Sequence, residues 1–260
     1  MTTKKTGTKE WSDISQNLFI GCRNNCRYGY GREMMVRLKR KTPENWPDMI
    51  PAKRWRTTKP KLFKNQVIMF PSLHDIFPEH LDETVEFLTS WLKLGNKYLI
   101  VSKPRLECIK RLCEDLEQYR EQIKFRFTIG SYHDDVLGFW EPNAPKFTER
   151  KECLAFAYNA GYKTSCSCEP YLDEDVLYLI QSHLLTYVTD TVWIGKMNKI
   201  DDRVDTKGWT TVEKRYLKRV KEAQTDEFIK DLYQKLKGIE EIRWKDSCKE
   251  VLDLPEEDIG

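Results

Sequence analysis

Asn17-Leu-Phe-Ile-Gly-Cys-Arg-Asn-Asn-Cys-Arg-Tyr-Gly-Tyr-Gly31 reads as a short apolar strand running into a loop, with Cys22 and Cys26 at C-x3-C spacing. Three residues past Cys26, where a further cysteine would complete C-x3-C-x2-C, stands Gly29. Taken alone, two such thiols are half a metal site, a redox pair or two unrelated small residues. A structural zinc site needs four ligands. Cys166 and Cys168, at C-x-C on a later strand, are the candidates to complete one, and His74 is a further donor. Strand alternation puts Cys166 and Cys168 on the same face.

Outward from this loop the chain alternates two periodicities. Apolar, β-branched or aromatic runs occur at 17–20, 66–70, 98–101, 125–129, 162–168 and 191–194. Between them lie helical patterns at 79–94, 106–116, 147–160 and 173–187, the first opening after Pro78 and stopping at Gly95. Strands alternating with helices imply right-handed βαβ units and a parallel sheet. Ligands of such sheets bind at the carboxyl ends of the strands. That rule selects Gly21-Cys22, Pro71-Ser72-Leu73-His74-Asp75, Ser102-Lys103-Pro104, Gly130-Ser131, Glu169-Pro170 and Gly195-Lys196-Met197-Asn198.

Three regions follow. Residues 1–14 read as an N-terminal tail. Residues 15–200 read as the α/β unit, with a Pro-punctuated basic insertion at 37–64. Residues 201–260 read as a charged helical extension packed outside the sheet. Within it, Thr210-Thr-Val-Glu213 is a capping box leading into a helix at 214–224, and a second helix covers 228–236.

A chain of 260 residues that is 40% hydrophobic has ample material for a packed core. The net charge of +3 by itself implies no polyanion partner, so distribution matters more than the sum. Residues 37–64 concentrate Lys and Arg and interleave Trp46, Trp55 and Phe63, the composition of a nucleic-acid contact or of an ordinary solvated face. No apolar run approaches the ~20 residues of a membrane span, and the first residues lack the apolar segment of a secretory signal. The eight cysteines then read as reduced thiols of a cytoplasmic protein.

From 17 to about 198 the chain resembles the radical S-adenosylmethionine superfamily, most closely its spore photoproduct lyase-like branch. Ile20-Gly-Cys-Arg-Asn-Asn-Cys-Arg-Tyr-Gly-Tyr30 matches the family's C-x3-C-x-aromatic-C-Y pattern, with Tyr28 at the aromatic position and Gly29 in place of the third cluster cysteine. The resemblance implies a partial (β/α)6 parallel barrel with a C-terminal helical extension. It implies a 4Fe-4S cluster on Cys22, Cys26 and position 29, and S-adenosylmethionine cleaved reductively to a 5′-deoxyadenosyl radical. An electron donor such as flavodoxin or ferredoxin is implied as partner. By motif position, Tyr28, Ser72, His74, Lys103, Thr128 and Glu169 are expected at the cofactor, and Cys166, Cys168 and His74 are the catalytic candidates. The substrate is left open, with a DNA- or nucleotide-linked one favoured.

Plainer readings stand beside these. His74 reads equally as a loop histidine held by Asp75, Lys103 as an exposed lysine before a helix, and Thr128 as a β-former. Glu169 reads equally as a partner of Lys163 or Lys196, and Cys166 and Cys168 as small buried residues. The segment 140–147 reads as a lip of the substrate mouth or as a lead-in to a helix. Gly29 has three accounts: a disabling change, a lineage that kept the fold for binding, or a substitute ligand. The alternatives to a radical enzyme are a non-catalytic, nucleic-acid-binding module and a zinc-stabilised domain using Cys22, Cys26, Cys166 and Cys168.

Overall fold

Seven parallel strands form the sheet, in the spatial order β1-β4-β5-β6-β7-β8-β9. They are β1 (Ile14–Ser15), β4 (Val67–Phe70), β5 (Lys97–Ser102), β6 (Ile123–Thr128), β7 (Lys163–Cys168), β8 (Val192–Ile194) and β9 (Ile242–Trp244). A separate antiparallel ribbon pairs β2 (Phe19–Ile20) with β3 (Ile50–Pro51). The structure, a computed structural model, describes residues 7–255. Among these, no helix is long and apolar enough to cross a membrane.

Helices follow in chain order: α1 (Tyr30–Arg37), α2 (Lys53–Thr57), α3 (Leu81–Leu92), α4 (Leu106–Asp115), α5 (Asp134–Trp140) and α6 (Phe147–Asn159). After β7 come α7 (Val176–Leu179), α8 (Ile200–Arg203), α9 (Thr211–Ala223), α10 (Asp226–Leu236) and α11 (Asp246–Leu252). The capping box at Thr210 and Glu213 is formed at the start of α9.

Strand alternation sorts the side chains of the sheet. Ile68, Phe70, Ile100, Phe125, Phe127, Cys166, Cys168, Val192 and Ile194 belong to one apolar core with Leu88, Leu112, Leu154 and Ile180 of the covering helices. The other parity is mixed. Met69, Leu99 and Val101 pack with Trp11, whereas Arg126 and Ser165 bond to each other at 2.9 Å. Trp11 lies across this second face, with Arg126 Cζ 4.8 Å from its ring and Trp193 edge-on at 6.0 Å.

Four expectations change. The expected strand at 17–20 is not in the sheet. The chain leaves β1 after Ser15, because the Asn17 side chain turns to bond Ser72 and Leu73, and the Leu18 amide bonds His74. Sheet pairing therefore begins inside the expected tail, at Ile14, and residues 1–6 of that tail lie outside the described residues. The region after 200 is not helical alone: β9 pairs in parallel with β8 and makes a seventh strand. The basic insertion also has regular structure, and Trp46 and Trp55 are buried.

Lys245, directly after β9, ties the two ends of the described chain together. Its ammonium is fully buried, donates to Gly7 O at 2.6 Å and pairs with Glu10 Oε2 at 2.5 Å. Taking both charges out of water costs several kcal/mol, so the pair holds only while both partners are present. We predict that Lys245→Ala lowers the unfolding free energy by about 3 kcal/mol in urea titration. The loss is larger at pH 8 than at pH 5, because burial already raises the Glu10 carboxyl above its ordinary range and acid lets it take a proton. A loss independent of pH contradicts this account.

Candidate functional site

The cysteine loop is shaped by backbone bonds before any side chain acts. Cys22 N donates to Trp46 O at 3.2 Å, Asn25 N to Cys22 O at 3.1 Å, and Arg27 N to Trp140 O at 2.9 Å. Gly21 is required at the loop's start: its φ is +110°, and a Cβ there would meet Asp48 O at 2.6 Å and Trp46 O at 2.7 Å. Gly29 is not required in that sense. Its φ is −60°, and a Cβ would sit 3.2 Å from Cys26 O and 3.7 Å from Arg32 Cβ. The backbone at position 29 takes a side chain with a shift of a few tenths of an ångström.

Two buried carboxylates hold this loop against the sheet. Asp75 accepts from Asn24 Nδ2 at 2.7 Å, Ser102 Oγ at 2.9 Å and Lys103 N at 2.7 Å, with Cys22 Sγ at 3.6 Å. Burial alone would raise its pKa; the Lys103 charge and these donors outweigh burial and hold it below the ordinary value. Glu141 lies behind the loop, fully buried. It accepts the Tyr28 hydroxyl, pairs with Arg150 Nη2 at 2.5 Å and lies 3.8 Å from Lys103 Nζ. Burial opposes the Lys103 charge, but the carboxylates Glu141 and Asp75 beside it favour the ammonium, and its pKa stands above the ordinary value. Burial pushes the Cys26 thiol up to about 12 and the Cys22 thiol well above its usual value, so both stand as neutral thiols.

These groups surround one cavity of about 560 Å³ at the carboxyl edge of the sheet. Cys22, Cys26, Tyr28, Gly29, Ser72, His74, Lys103, Thr128 and Glu169 all line it. Four positions of the cysteine loop and five from four strand ends thus meet in one space. Cys166 and Cys168 do not join them. They share a face, as expected, but it is the apolar face against the helices, where both are wholly buried. Among the described residues, the only three metal-ligating atoms within 4.8 Å of one another are those of His133, Asp173 and Asp175, so the four-cysteine zinc set is not assembled.

Other expectations are refined. Asp75 meets His74 through its backbone, not its carboxylate. His74 Nε2 accepts from Leu18 N at 3.2 Å, and Nδ1–H donates to Asp75 O at 2.9 Å, which leaves the ring no free nitrogen. Glu169 faces Lys245 Nζ at 3.7 Å, not Lys163 or Lys196, and burial pushes its carboxyl up to about 7. The segment 140–147 is not among the cavity's lining residues; through Glu141 and Trp140 it backs the cysteine loop. Glu141, Arg150 and Lys245 were not singled out from the sequence. The one available signal was Arg150 at a core position of α6.

No family model matches the chain. An uncharacterized protein of Acidianus two-tailed virus is 26% identical over 129 residues, which is 49% of this chain and 40% of that protein. The matched region is thus well under two thirds of that relative. Among solved structures, a Cys-to-Ser variant of spore photoproduct lyase superposes with a TM-score of 0.52 at 15% identity, covering 94% of this chain and 79% of that one. A variant with bound AdoMet and dinucleoside spore photoproduct gives 0.50 at 14%, covering 90% and 76%. At such identities the likeness shows the fold alone, which is that of spore photoproduct lyase.

A titration tests the His74 geometry. Burial lowers its pKa to about 4, so the folded state keeps the ring neutral while the unfolded state takes a proton below about 6.5. His74 therefore stabilises fully above 6.5, and that contribution drains away as pH falls toward 4, by on the order of 3 kcal/mol. We expect the stability advantage over His74→Gln to shrink by that amount between pH 7 and pH 4. An advantage that stays constant would show an ordinary, solvated histidine.

Proposed function

We propose that this chain is a radical S-adenosylmethionine-type protein on a partial (β/α) barrel, of the spore photoproduct lyase-like branch, whose cluster loop is one thiol short. The observation that carries this reading is the convergence of Cys22, Cys26 and Gly29 of the cysteine loop with Ser72, Lys103, Thr128 and Glu169, from four strand ends of the sheet, on one cavity. Its size lies in the roughly 300–1,000 Å³ range of small-molecule sites. The likeness to structures of spore photoproduct lyase supports the fold on which the reading rests.

A 4Fe-4S cluster needs three thiolates, two cavity-lining thiols are present, and position 29 offers no side-chain donor. The residues as they stand do not fit the cluster. The surrounding chemistry suits S-adenosylmethionine better. The Ser72 hydroxyl, the Lys103 ammonium, the Thr128 hydroxyl and the Glu169 carboxyl are polar groups on the wall, and Tyr28 and His74 supply ring edges, since their polar atoms are already bonded. In a form with a thiol at 29, the protein would act as an enzyme with an electron donor such as flavodoxin or ferredoxin.

Gly29 favours a second reading, a non-catalytic binding module on the same fold. Its polyanion-facing surface would be the exposed Lys53, Arg54, Lys59, Lys61 and Lys64. With Trp46 and Trp55 turned into the core, nucleic acid would be held there by phosphates and not by stacked bases.

Anaerobic reconstitution separates the two. We expect Gly29→Cys to retain about four irons and four sulfides per chain and to release 5′-deoxyadenosine from S-adenosylmethionine under reduction, while the present form holds no stable cluster. Failure of Gly29→Cys to take up iron would overturn the first reading. Salt-dependent oligonucleotide binding, lost in a Lys53→Gln, Arg54→Gln double variant, would establish the second.

A further inference from the structure

The charged groups that line the cavity do not balance. Asp75 is fully engaged by Asn24, Ser102 and Lys103, and Glu169 faces Lys245. Three other lining residues are cations: Lys9, Lys196 and Arg203. Among the described residues no carboxylate lies within 4.0 Å of any of the three. The nearby acid Asp201 of α8 faces away, bonded to Lys221 at 2.6 Å.

Each cation stands on a fixed scaffold. Lys9 belongs to the helical turn Gly7–Glu10, which Lys245 clamps at both ends. The backbone of Lys196 is held by Ser247 Oγ at 3.2 Å, and the next residue by Gln224 Oε1 at 2.8 Å. Arg203 lies with its Cζ 5.5 Å from the Tyr30 ring, and its Nε is out of water with no acceptor. A buried guanidinium donor left unpaired is costly, and a ligand oxygen would satisfy it.

We propose that the mouth of the cavity is an oxyanion subsite, in which Lys9, Lys196 and Arg203 receive a doubly charged group of the protein's substrate. S-adenosylmethionine carries one carboxylate against two positive centres, so this excess of cations addresses a different ligand. The group is a phosphate or a dicarboxylate, which present the same chemistry to these donors. The inference deepens the reading of this cavity as a ligand site but needs neither cluster nor thiol at 29, so its test runs on the chain as it stands.

Inorganic pyrophosphate and succinate, each titrated calorimetrically at low ionic strength, are the probes. At least one binds, and raising the salt weakens it. Lys196→Gln and Arg203→Gln each loosen that probe about tenfold, with unchanged unfolding midpoints. A Lys230→Gln variant, which removes an exposed cation of α10 outside the cavity, leaves the affinity as it was. Pyrophosphate binding alone identifies a phosphorylated substrate, and succinate alone a carboxylated one. If neither binds, or if the mouth variants bind as tightly as the parent, the subsite does not exist. Iron uptake by Gly29→Cys is indifferent to either result.

Discussion

The Asp75 carboxylate is out of water, ionised, and shared between the cysteine loop and the end of one strand. Asn24 reaches it from the loop, and Ser102 and Lys103 from the end of β5. An unpaired carboxylate in that position would be prohibitively costly, so each donor is held as firmly as it holds the acid. On the far side Glu141 does the same through Tyr28, Arg150 and Lys103. Lys103 stands between the two acids, and the cysteine loop is gripped from both sides by charges that depend on one another.

This arrangement explains how the loop keeps its form with only two thiols. Its geometry rests on Asp75, Glu141, the Trp46 and Trp140 carbonyls and the positive φ of Gly21, none of which involves a metal. Gly29 sits in ordinary backbone space, in contrast to Gly21, where steric contact with two carbonyls leaves no alternative. Position 29 is therefore structurally neutral.

The repeat of strand and helix, and the strand ends facing the cavity, were legible because period and position carry them directly. Cys166 and Cys168 were legible as sharing a face, but which face depends on register, and one residue of offset sends a strand's side chains to the opposite side. The strand at 17–20 was misplaced because its apolar residues suit a ribbon as well as a sheet; the Asn17 side chain decides. β9 was hidden in a charged region, since a three-residue strand leaves almost no periodic signal. Glu141 and Lys245 were unreadable for a general reason: a buried ion pair between distant segments has no local pattern.

Lys245 has a temporal consequence. Its contact with Gly7 spans 238 residues, and its contact with Glu169 sets the charge on one wall of the cavity. During synthesis, every other strand of the sheet emerges before this cation does. Until β9 docks, Glu10 and Glu169 lack their counter-charge, and the wall built from the N-terminal turn has nothing to close against. Contacts of such sequence separation form late and slowly. The wall of the cavity is thus completed only by the last strand of the sheet, whereas the cysteine loop takes its bonds from residues 46–150.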